Sequence, residues 1–489
     1  MDLPQERIDK RQGLQDAGEA LYPTKGRMVG RLPVAAVLEQ CDPDAEPSAK
    51  VVLFGRMTAR RDHGNSMFMD LRDGSGKLQI YLQKEVLGPE RFETMSVGLD
   101  LGDFLAASGK LGRTKKGEPT LFVEEMELLS KAMLPLPKEH FGLVDIEQRY
   151  RQRYVDLAVN EETYSRFQQR SRMIADLRAA LEERCFMEVE TPTLQSIAGG
   201  AAARPFTTHH NSLDLDIFLR IAPELYLKRL LVGGFERVFE IGRNYRNEGL
   251  SPRHNPEFTM MEGYWAYATG EDWMVATEEI LSQLALGRHG ASDQESSHLV
   301  EWGGHQLDFS APFARVSYGD LLRDHGGADL FDEASIRSAA KTAGVEMDGL
   351  ELPKIIAALF DMTVEEHLIQ PTFVTDFPIE LSPLSKVSPT DERLADRFEL
   401  VVAGMEIANG FSELNDPEEQ SRRFEAQVAA RDPEQPGEVD HDYLQALAYG
   451  MPPAAGIGVG IDRLAMLLTG AESIRDVILF PLLRPSADS

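Results

Sequence analysis

The stretch from residue 235 to residue 265 reads FERVFEIGRNYRNEGLSPRHNPEFTMMEGYW. It consists of two strand-like runs joined by a loop that contains glycine, serine and proline. In the second run, side chains two residues apart share one face of a strand: Phe258, Met260, Glu262 and Tyr264. The pattern therefore predicts a β-hairpin that presents an aromatic ring, a carboxylate and a phenol on the same side.

Cationic groups gather at the loop end of this hairpin. Arg246 and Glu248 end the first run, and Arg253 and His254 begin the second. Guanidinium groups match phosphate oxygens in charge and shape, so the loop suits a polyphosphate ligand. The alternative is a solvated hairpin whose charges pair with one another, since most surface ion pairs contribute little.

The size and charge of the chain narrow the class of protein. With 489 residues, of which 42% are hydrophobic, two or three domains are expected. No run of about 18 apolar residues is present, so we expect a cytoplasmic protein without a membrane partner. The formal net charge is −29, but residues 1–140 are nearly balanced. A polyanion should therefore meet the N-terminal part first.

Several kinds of site are disfavoured by their missing signatures. Cys41 and Cys185 lie far apart and form no CxxC pair, which argues against a disulfide framework or a zinc site. The sequence also lacks GxxxxGK[ST], HExxH and GxSxG motifs, and no GxGxxG opens a βαβ unit.

The N-terminal part has the pattern of a small β-barrel. Between residues 51 and 129, five short apolar runs alternate with turn residues: VVLFGRMTARR, SMFMDLRD, KLQIYLQ, DFLAASGKLGR and TLFVEEMELL. Pro135 and Pro137 mark the exit from this region. We therefore expect one domain over residues 1–140 and a second over residues 141–489.

Three further segments of the second domain carry recognisable patterns. A helix is predicted from about residue 163 to 184, followed by a strand over FMEVETPTL. In RFELVVAGMEIANGFSELND, Asn409, Phe411 and Glu413 alternate and would face one way on a strand. GIGVGIDRLAMLLTG predicts a glycine-rich strand that leads into a helix near Asp462, with Arg463 at the junction. Residues 270–366 are predicted to be helices and acidic loops that form a scaffold or an insertion.

These segments resemble, in order, the three motifs of class II aminoacyl-tRNA synthetases, at about residues 163–194, 236–265 and 456–470. The wording RNEGLSPRHNPEFTMMEGYWAY is similar to that of the lysyl members. The resemblance implies an α+β fold: an N-terminal helical segment with a five-stranded OB-fold barrel that binds the anticodon, then a catalytic domain with an antiparallel β-sheet flanked by helices. It also implies a homodimer.

The resemblance further implies an ATP site and a magnesium site. The arginines of motifs 2 and 3, Arg246 and Arg463, would be the catalytic pair, and Phe258 would stack on adenine. The implied ATP-binding residues are Arg246, Glu248, His254, Asn255, Phe258, Glu399 and Arg463. Glu399 and Glu406 would hold Mg²⁺ on the phosphates, as carboxylates commonly do. Without the resemblance, these two glutamates are as well explained as exposed charges.

Paired carboxylates indicate which kind of amino acid the site would bind. A buried ammonium group needs opposite charges and hydrogen bonds to offset its desolvation, so Glu262 and Glu413 with Tyr264 suit a long cationic side chain. The resemblance extends the lysine-binding set to Gly200, Glu224, Arg246, Glu262, Tyr264, Asn409, Phe411 and Glu413. Gly263, Met405 and Ala408 differ from residues more usual in the family and would reshape the surroundings of this pocket.

For the barrel, the resemblance implies an anticodon site at Phe68, Gln79 and Glu125. Single-stranded RNA is read by stacking on aromatic rings and by hydrogen bonds to base edges. Phosphates would be held by basic residues nearby: Arg60, Arg61, Arg113, Lys115 and Lys116. Phe68 could instead belong to the barrel core, and Glu124 could take the place of Glu125.

The implied function is that of a ligase of protein biosynthesis. ATP would activate L-lysine to lysyl-adenylate, and lysine would pass to the 3′ end of tRNA(Lys); DNA is not an expected partner. One alternative is an aspartyl or asparaginyl synthetase of the same architecture, which the paired glutamates disfavour. Another is a non-catalytic, synthetase-derived RNA-binding regulator, which predicts erosion of the ATP residues. A shorter relative that lysylates a translation factor lacks the N-terminal barrel.

Overall fold

The computed structural model of the chain describes residues 2–41, 50–137, 143–287, 297–430 and 438–485. These residues form two compact units, Met1–Asn160 and Glu161–Ser489. The domain boundary predicted between residues 140 and 141 lies outside the described residues. Within the described ranges, no helix is long and apolar enough to cross a bilayer.

The first unit contains a closed β-barrel. Its strands in the described residues are β1 (Lys50–Asp62), β2 (Ser66–Asp73), β3 (Gly76–Gln83), β4 (Phe104–Arg113) and β5 (Pro119–Ser130). They pair in the order β1-β2-β3-β5-β4, and β4 pairs with β1 to close the barrel. Only β3 and β5 run parallel among these pairs. The five-stranded barrel predicted from the sequence is therefore confirmed.

Short helices accompany the barrel: α1 (Gln5–Asp16), α2 (Val34–Glu39), α3 (Lys84–Leu87), α4 (Pro89–Gly98), α5 (Ile146–Arg151) and α6 (Arg153–Val159). The barrel interior is filled by alternate apolar side chains, because successive residues of a strand point to opposite faces. A buried ion pair lies after β5, where Lys131, whose side chain is fully buried, contacts Asp100 at 2.5 Å and Asp103 at 3.0 Å.

The second unit is built on a large sheet. Its strands are β6 (Met187–Glu188), β7 (Leu194–Gln195), β8 (Thr207–His210), β9 (Leu215–Leu219), β10 (Arg237–Tyr245), β11 (Glu257–Ala266), β12 (Leu299–Trp302), β13 (His305–Asp308), β14 (Ala314–Ser317), β15 (Thr372–Pro378), β16 (Leu394–Val402), β17 (Met405–Ser412) and β18 (Ala454–Gly460). Eight strands of the described residues form one sheet in the order β14-β15-β16-β17-β18-β11-β10-β6. The pairs from β15 to β10 are antiparallel, as predicted, and the two edge pairs are parallel.

Helices cover this sheet and extend the unit: α7 (Glu161–Glu183), α8 (Glu224–Val232), α9 (Gly270–Leu286), α10 (Tyr318–Gly326), α11 (Glu333–Ala343), α12 (Leu352–Thr363), α13 (Pro417–Ala430), α14 (His441–Ala448), α15 (Ile461–Thr469) and α16 (Ile474–Val477). Single 3₁₀ turns occur at Glu365–His367 and Ile379–Leu381. The helix predicted from residue 163 and the helix after the glycine-rich strand are confirmed as α7 and α15.

Two predictions for this unit were wrong in detail. The strand predicted over FMEVETPTL is limited to β6, because Pro192 has no N–H to donate and the backbone N–H of Thr191 donates to the Glu240 carboxylate instead. The next two residues with strand geometry, β7, join a separate three-stranded sheet with β9 and β8. The region 270–366 also contains the strands β12, β13 and β14, which the sequence analysis described as helices and loops.

The three positions that differ from the family pattern lie in the core behind the sheet. Met405 and Ala408 are buried in a hydrophobic cluster that includes side chains of α7, α9 and α15. A Cβ at Gly263 would lie 2.9 Å from the Cη2 atom of Trp273, so the indole ring of α9 occupies the space that a side chain would need. Glu262 and Tyr264, its neighbours, face the other side. These three residues therefore shape the packing of the core and do not line the pocket.

We expect Gly263 and Trp273 to be energetically coupled. Gly263→Leu should destabilise the protein by about 1–3 kcal/mol through overpacking, and Trp273→Leu by about 3 kcal/mol through the cavity it leaves. The loss of unfolding free energy in the double variant should be about 1–3 kcal/mol smaller than the sum of the losses in the two single variants. Calorimetric unfolding measures all three, and Gly13→Leu, at a position with free space, is the control. Strict additivity would contradict the coupling.

Candidate active site

The hairpin that the sequence predicts is formed by β10 and β11. The two strands pair without a bulge from Arg237 opposite Trp265 to Tyr245 opposite Glu257. The loop at its end, residues 246–256, carries the cationic side chains. On its other side β11 pairs with β18, which brings motif 3 beside motif 2.

A pocket opens at the loop end of this hairpin, and we call it the nucleotide pocket. It is lined by Arg246, Glu248, Gly249, Arg253, His254, Asn255, Pro256, Phe258, Thr259, Met260, Glu406, Ile407, Gly458, Gly460, Asp462, Arg463 and Ile474. All residues predicted to bind ATP line it except Glu399. Segments that are more than 200 residues apart in the sequence therefore meet around one cavity.

The nucleotide pocket presents an aromatic ring and several positive charges. The Arg246 guanidinium lies 5.1 Å from the centroid of the Phe258 ring, within the range of a cation–π contact. Arg463 donates to the Glu406 carbonyl at 2.7 Å and lies 3.1 Å from Nε2 of His254. Burial lowers the pKa of His254, and the nearby arginines 463, 246 and 253 lower it further. The imidazole is thus neutral near pH 7, and the cationic groups are the arginines.

An aspartate fixes the relative positions of the three motifs. The Asp462 carboxylate accepts a hydrogen bond from the backbone N–H of Thr259 at 2.7 Å and one from Arg170 at 2.7 Å. Arg170 belongs to α7, Thr259 to β11 and Asp462 to α15. Because Arg463 is the next residue, this buried connection holds its backbone in place. The sequence analysis did not identify Arg170, whose only signal is its position in the motif 1 helix.

The two carboxylates predicted to hold a metal ion are Glu399 on β16 and Glu406 on β17, and Glu406 lines the nucleotide pocket. Burial raises the pKa of Glu399 to about 8, and the negative charges of Glu406 and Glu365 raise it further, although Arg397 acts in the opposite direction. The described residues contain no group of three or more His, Cys, Asp or Glu side chains arranged around a metal position. Two carboxylates suit Mg²⁺ when phosphate oxygens supply other ligands, and a divalent cation would offset this excess of negative charge.

Three glutamates predicted to bind the amino acid are buried in the second unit. Glu224 is 6% exposed, Glu262 is 5% exposed and Glu413 is fully buried. Burial raises the pKa of Glu262 to about 8, and the charge of Glu224 adds to this rise. Burial likewise raises the pKa of Glu413 to about 8. The Tyr264 hydroxyl donates to the Glu262 carboxylate at 3.3 Å.

Glycines of β18 let these side chains approach the strand closely. We call the group formed by Gly200, Glu224, Glu262, Tyr264, Asn409, Phe411 and Glu413 the amino acid pocket. Gly458 lies opposite Glu262, and Gly456 lies opposite Tyr264. On the other edge of β18, the same two glycines lie opposite Asn409 and Phe411 of β17. A Cβ at Gly456 would collide with the carboxylate of Glu413 and the ring of Tyr264. The predicted residues of β11 and β17 thus lie on either side of β18, whose glycines place no side chain between them.

Gly200 and Glu224, which are both predicted to bind the amino acid, are neighbours in the structure. Gly200 has a φ of +87°, which favours glycine, and a Cβ there would lie 2.9 Å from the Cβ of Glu224. Glu224 is the first residue of α8. The loop of Gly200 therefore lies against the start of this helix.

The sequence analysis missed two charged residues that contact the predicted set. Lys228 is fully buried and donates to Glu224 at 2.6 Å, and it also contacts Glu413. Arg397 contacts Glu399 and donates to Asn409 at 3.2 Å, so it links the acidic pair to the amino acid pocket. Lys228 could have been noticed from its i,i+4 spacing after Glu224, and Arg397 from its alternation with Glu399.

The residues predicted for the anticodon lie on the outside of the barrel. Phe68 stacks on Tyr81 with ring centroids 4.4 Å apart, whereas its neighbours Met67 and Met69 fill the core. Phe68 is half-buried, so the core interpretation of this ring was wrong. Gln79, on the adjacent strand, donates to Thr120 at 2.7 Å.

Some of the charged side chains predicted to contact RNA already have partners within the barrel. Glu125 lies 3.1 Å from Lys50 and is exposed, and Glu124 also lies within 3.8 Å of the same amine. The Arg60 guanidinium is already bound to the carbonyls of Ser96 and Leu99. A phosphate at Arg60 would have to replace these contacts, which the sequence analysis did not anticipate.

Comparison with known proteins supports the relation suggested by the motifs. The family model "tRNA synthetases class II (D, K and N)" matches residues 145–484, and the model "OB-fold nucleic acid binding domain" matches residues 51–129. The chain is 50% identical over 454 residues to a lysine–tRNA ligase of Rhizobium meliloti, which covers 91% of this chain and 89% of the relative. It is 47% identical over 494 residues to a lysine–tRNA ligase of Moorella thermoacetica, which covers 100% and 99%.

A lysine–tRNA ligase of Ectopseudomonas mendocina is 52% identical over 444 residues, which cover 89% of this chain and 86% of the relative. These similarities extend through the barrel, the hairpin and the glycine-rich strand. The chain therefore belongs to the class II tRNA synthetases of the D, K and N group, and within it to the family of these lysine–tRNA ligases.

Proposed function

We propose that this protein is a lysine–tRNA ligase, which activates L-lysine with ATP to lysyl-adenylate and transfers lysine to the 3′ end of tRNA(Lys). The observation that carries the proposal is the set of buried glutamates next to the nucleotide pocket. Glu224, Glu262 and Glu413 supply three carboxylates for an amino acid that bears two ammonium groups, and they adjoin an arginine-lined cavity that suits a polyphosphate. The names of the relatives support the same activity.

ATP is proposed to lie in the nucleotide pocket with its adenine on Phe258 and its phosphates near Arg246 and Arg463. Glu248, His254 and Asn255 complete this proposed set. A carboxylate oxygen of lysine attacks the α-phosphorus in line, the bond to the β-phosphate oxygen breaks, and pyrophosphate leaves. The protein forms no covalent bond to the substrate, so orientation and the stabilisation of developing charge by the two arginines supply the acceleration.

Glu399 and Glu406 would hold Mg²⁺ at the edge of this pocket. The ion, when bound, offsets the negative charge of the phosphate groups. Arg397 keeps Glu399 in position through its contact with that carboxylate.

Lysine is proposed to occupy the amino acid pocket. Glu224, beside Gly200, accepts hydrogen bonds from the α-ammonium group, and Arg246 pairs with the substrate carboxylate. Glu262, Tyr264 and Glu413 take the ε-ammonium group. The remaining proposed residues, Asn409 and Phe411, line the side formed by β17. An aspartate or asparagine side chain would leave the buried glutamates without a cation, which disfavours the related specificities.

The second step requires tRNA. The 2′- or 3′-hydroxyl of the terminal adenosine attacks the lysyl carbonyl, and AMP leaves. We propose that the barrel, within a domain over residues 1–140, binds the anticodon at Phe68, Gln79 and Glu125, and that residues 141–489 form the catalytic domain. We further propose that the protein is a cytoplasmic homodimer, since it belongs to a family in which motif 1 forms the dimer interface.

A non-catalytic RNA-binding regulator is disfavoured by the intact nucleotide pocket. Arg246, His254, Glu406 and Arg463 line a single cavity. A protein that had lost catalysis would have no requirement to retain this arrangement.

The central test is ATP–pyrophosphate exchange without tRNA, which should depend on lysine. Glu413→Gln should raise the KM for lysine about 10–100-fold, because a hydrogen bond to a charged group contributes about 1.5–3 kcal/mol. The KM for ATP should stay within about twofold of the parent value. Glu333→Gln, in an exposed turn of α11, is the matched control. A folded parent protein without lysine-dependent exchange would refute the proposal.

The pH dependence of this exchange should reflect the buried carboxylates. The pKa of Glu262 is raised from 4.5 to about 8, so its ionised form, which binds ammonium, becomes populated only as the pH rises. The value of kcat/KM for lysine should therefore increase with pH up to about 8, since this parameter reports groups of the free enzyme. Glu262→Gln should move the ascending limb to lower pH. A profile that is flat down to pH 5 in the parent would contradict this assignment.

Phe68→Ala should separate the two steps of the reaction. Lysine-dependent exchange should be unchanged, whereas kcat/KM for tRNA(Lys) should fall about tenfold, because stacking of one base contributes about 1–3 kcal/mol. Phe104→Ala, which removes another half-exposed ring of the barrel, should leave both steps unchanged. Loss of exchange in the Phe68 variant would show that the ring is structural.

A further inference from the structure

Lys228 is a fully buried cation that contacts two glutamates of the amino acid pocket. It lies one helical turn after Glu224 on α8, and its amine is 2.6 Å from that carboxylate. The same amine contacts Glu413, the residue that follows β17. It also lies 5.4 Å from the centroid of the Phe411 ring. Lys228 therefore touches three residues of the pocket that come from two separate elements.

The charges around Lys228 do not balance. Glu224, Glu262 and Glu413 are all buried; the charge of Glu224 raises the pKa of both other glutamates, and that of Glu262 raises the pKa of Glu413. The Tyr264 and Tyr443 hydroxyls face the same groups and are neutral, because burial raises the pKa of each above its ordinary value. Three carboxylates and one amine leave an excess of two negative charges when all are ionised.

Three arginines act on these carboxylates from a greater distance, and each has another partner. Arg220 is paired with Glu240, and Arg397 is paired with Glu399. Arg246 lies over Phe258 and is proposed to bind the substrate carboxylate. Lys228 is thus the only cation among the described residues that contacts Glu224 and Glu413 directly.

We propose that Lys228 is a positioning residue that sets the charge of the amino acid pocket, so that the pocket is matched to a substrate with two ammonium groups. The inference rests on the proposed function. The α- and ε-ammonium groups of lysine carry two positive charges, which equal the excess left by three glutamates and Lys228. An amino acid with one ammonium group leaves a carboxylate uncompensated, which is costly because the site is buried.

The same contacts orient the two glutamates. Lys228 occupies one oxygen of Glu224 and one of Glu413. Oε1 of Glu413 has no hydrogen-bond donor within the part of the chain that the structure describes. Glu413 therefore keeps Oε1 for the substrate while its other oxygen is fixed by Lys228. Without Lys228, the pocket would hold three mutually repelling carboxylates and would take up protons instead of binding lysine.

The test is Lys228→Met, which keeps a side chain of similar length and removes the charge. In lysine-dependent pyrophosphate exchange, the KM for lysine should rise about tenfold or more. In the pH profile of kcat/KM for lysine, the ascending limb should shift to higher pH by about one unit, because the carboxylates lose an adjacent cation. The KM for ATP should stay within about twofold of the parent value. A role in packing alone would not move the pH limb.

Lys131→Met is the matched control. Lys131 is also fully buried and also bridges two carboxylates, but it belongs to the barrel unit. The Lys131→Met substitution should lower the unfolding temperature without changing the KM for lysine or the ascending limb of the pH profile. Lysine-dependent exchange by the parent is measured first, so that failure of the proposed function is distinguished from failure of this inference.

A folded Lys228→Met protein with the parent's lysine KM and pH limb would overturn the inference. If that variant does not fold, Lys228→Met is combined with Glu413→Gln, which restores an excess of two negative charges. A folded double variant supports the inference, because only the charge has been rebalanced. A double variant that also fails to fold shows that the amine is needed for packing and overturns the inference.

Discussion

The pairing register of β18 is the constraint on which both pockets depend. Its glycines at positions 456, 458 and 460 lie opposite Tyr264, Glu262 and Met260 of β11. The residues between them, Ile457 and Val459, point into the core. Because side chains alternate along a strand, one face of β18 is bare backbone and the other is hydrophobic. A slip of one residue would fill the substrate face with isoleucine and valine and would expose glycine to the core.

This arrangement explains how so many ionisable groups are accommodated in the interior. The hydrophobic face of the sheet packs against α7, α9 and α15 and supplies favourable burial. The opposite face carries carboxylates whose raised pKa values show that ionisation is unfavourable there. The contact of Arg170 with Asp462 connects motif 1 to motif 3, and the contact of Lys228 with Glu413 connects α8 to the end of β17. Stability and function are thus divided between the two faces of one sheet.

The sequence predicted those features that depend on local periodicity. The hairpin, the five barrel strands and the glycine-rich strand before Arg463 have spacings that do not depend on the rest of the chain. The sequence could not show that Lys228 and Glu413 meet, since 185 residues separate them and only the sheet brings α8 near the end of β17. The sequence predicted that Gly263 would affect the surroundings of the pocket, but it could not show that the ring of Trp273 fills the space beside this glycine.

The aromatic cluster behind β11 has a spectroscopic consequence. The chain contains three tryptophans, at positions 265, 273 and 302, and all belong to the second unit. Trp273 donates its indole N–H to the carbonyl of Ala455 on β18, and its ring packs against Trp265 and Phe186. Intrinsic tryptophan emission from this protein therefore originates entirely outside the barrel. Part of the emission comes from Trp273, which packs on the hydrophobic face of the sheet whose other face bears the two pockets. Tryptophan fluorescence should therefore report on changes in that sheet.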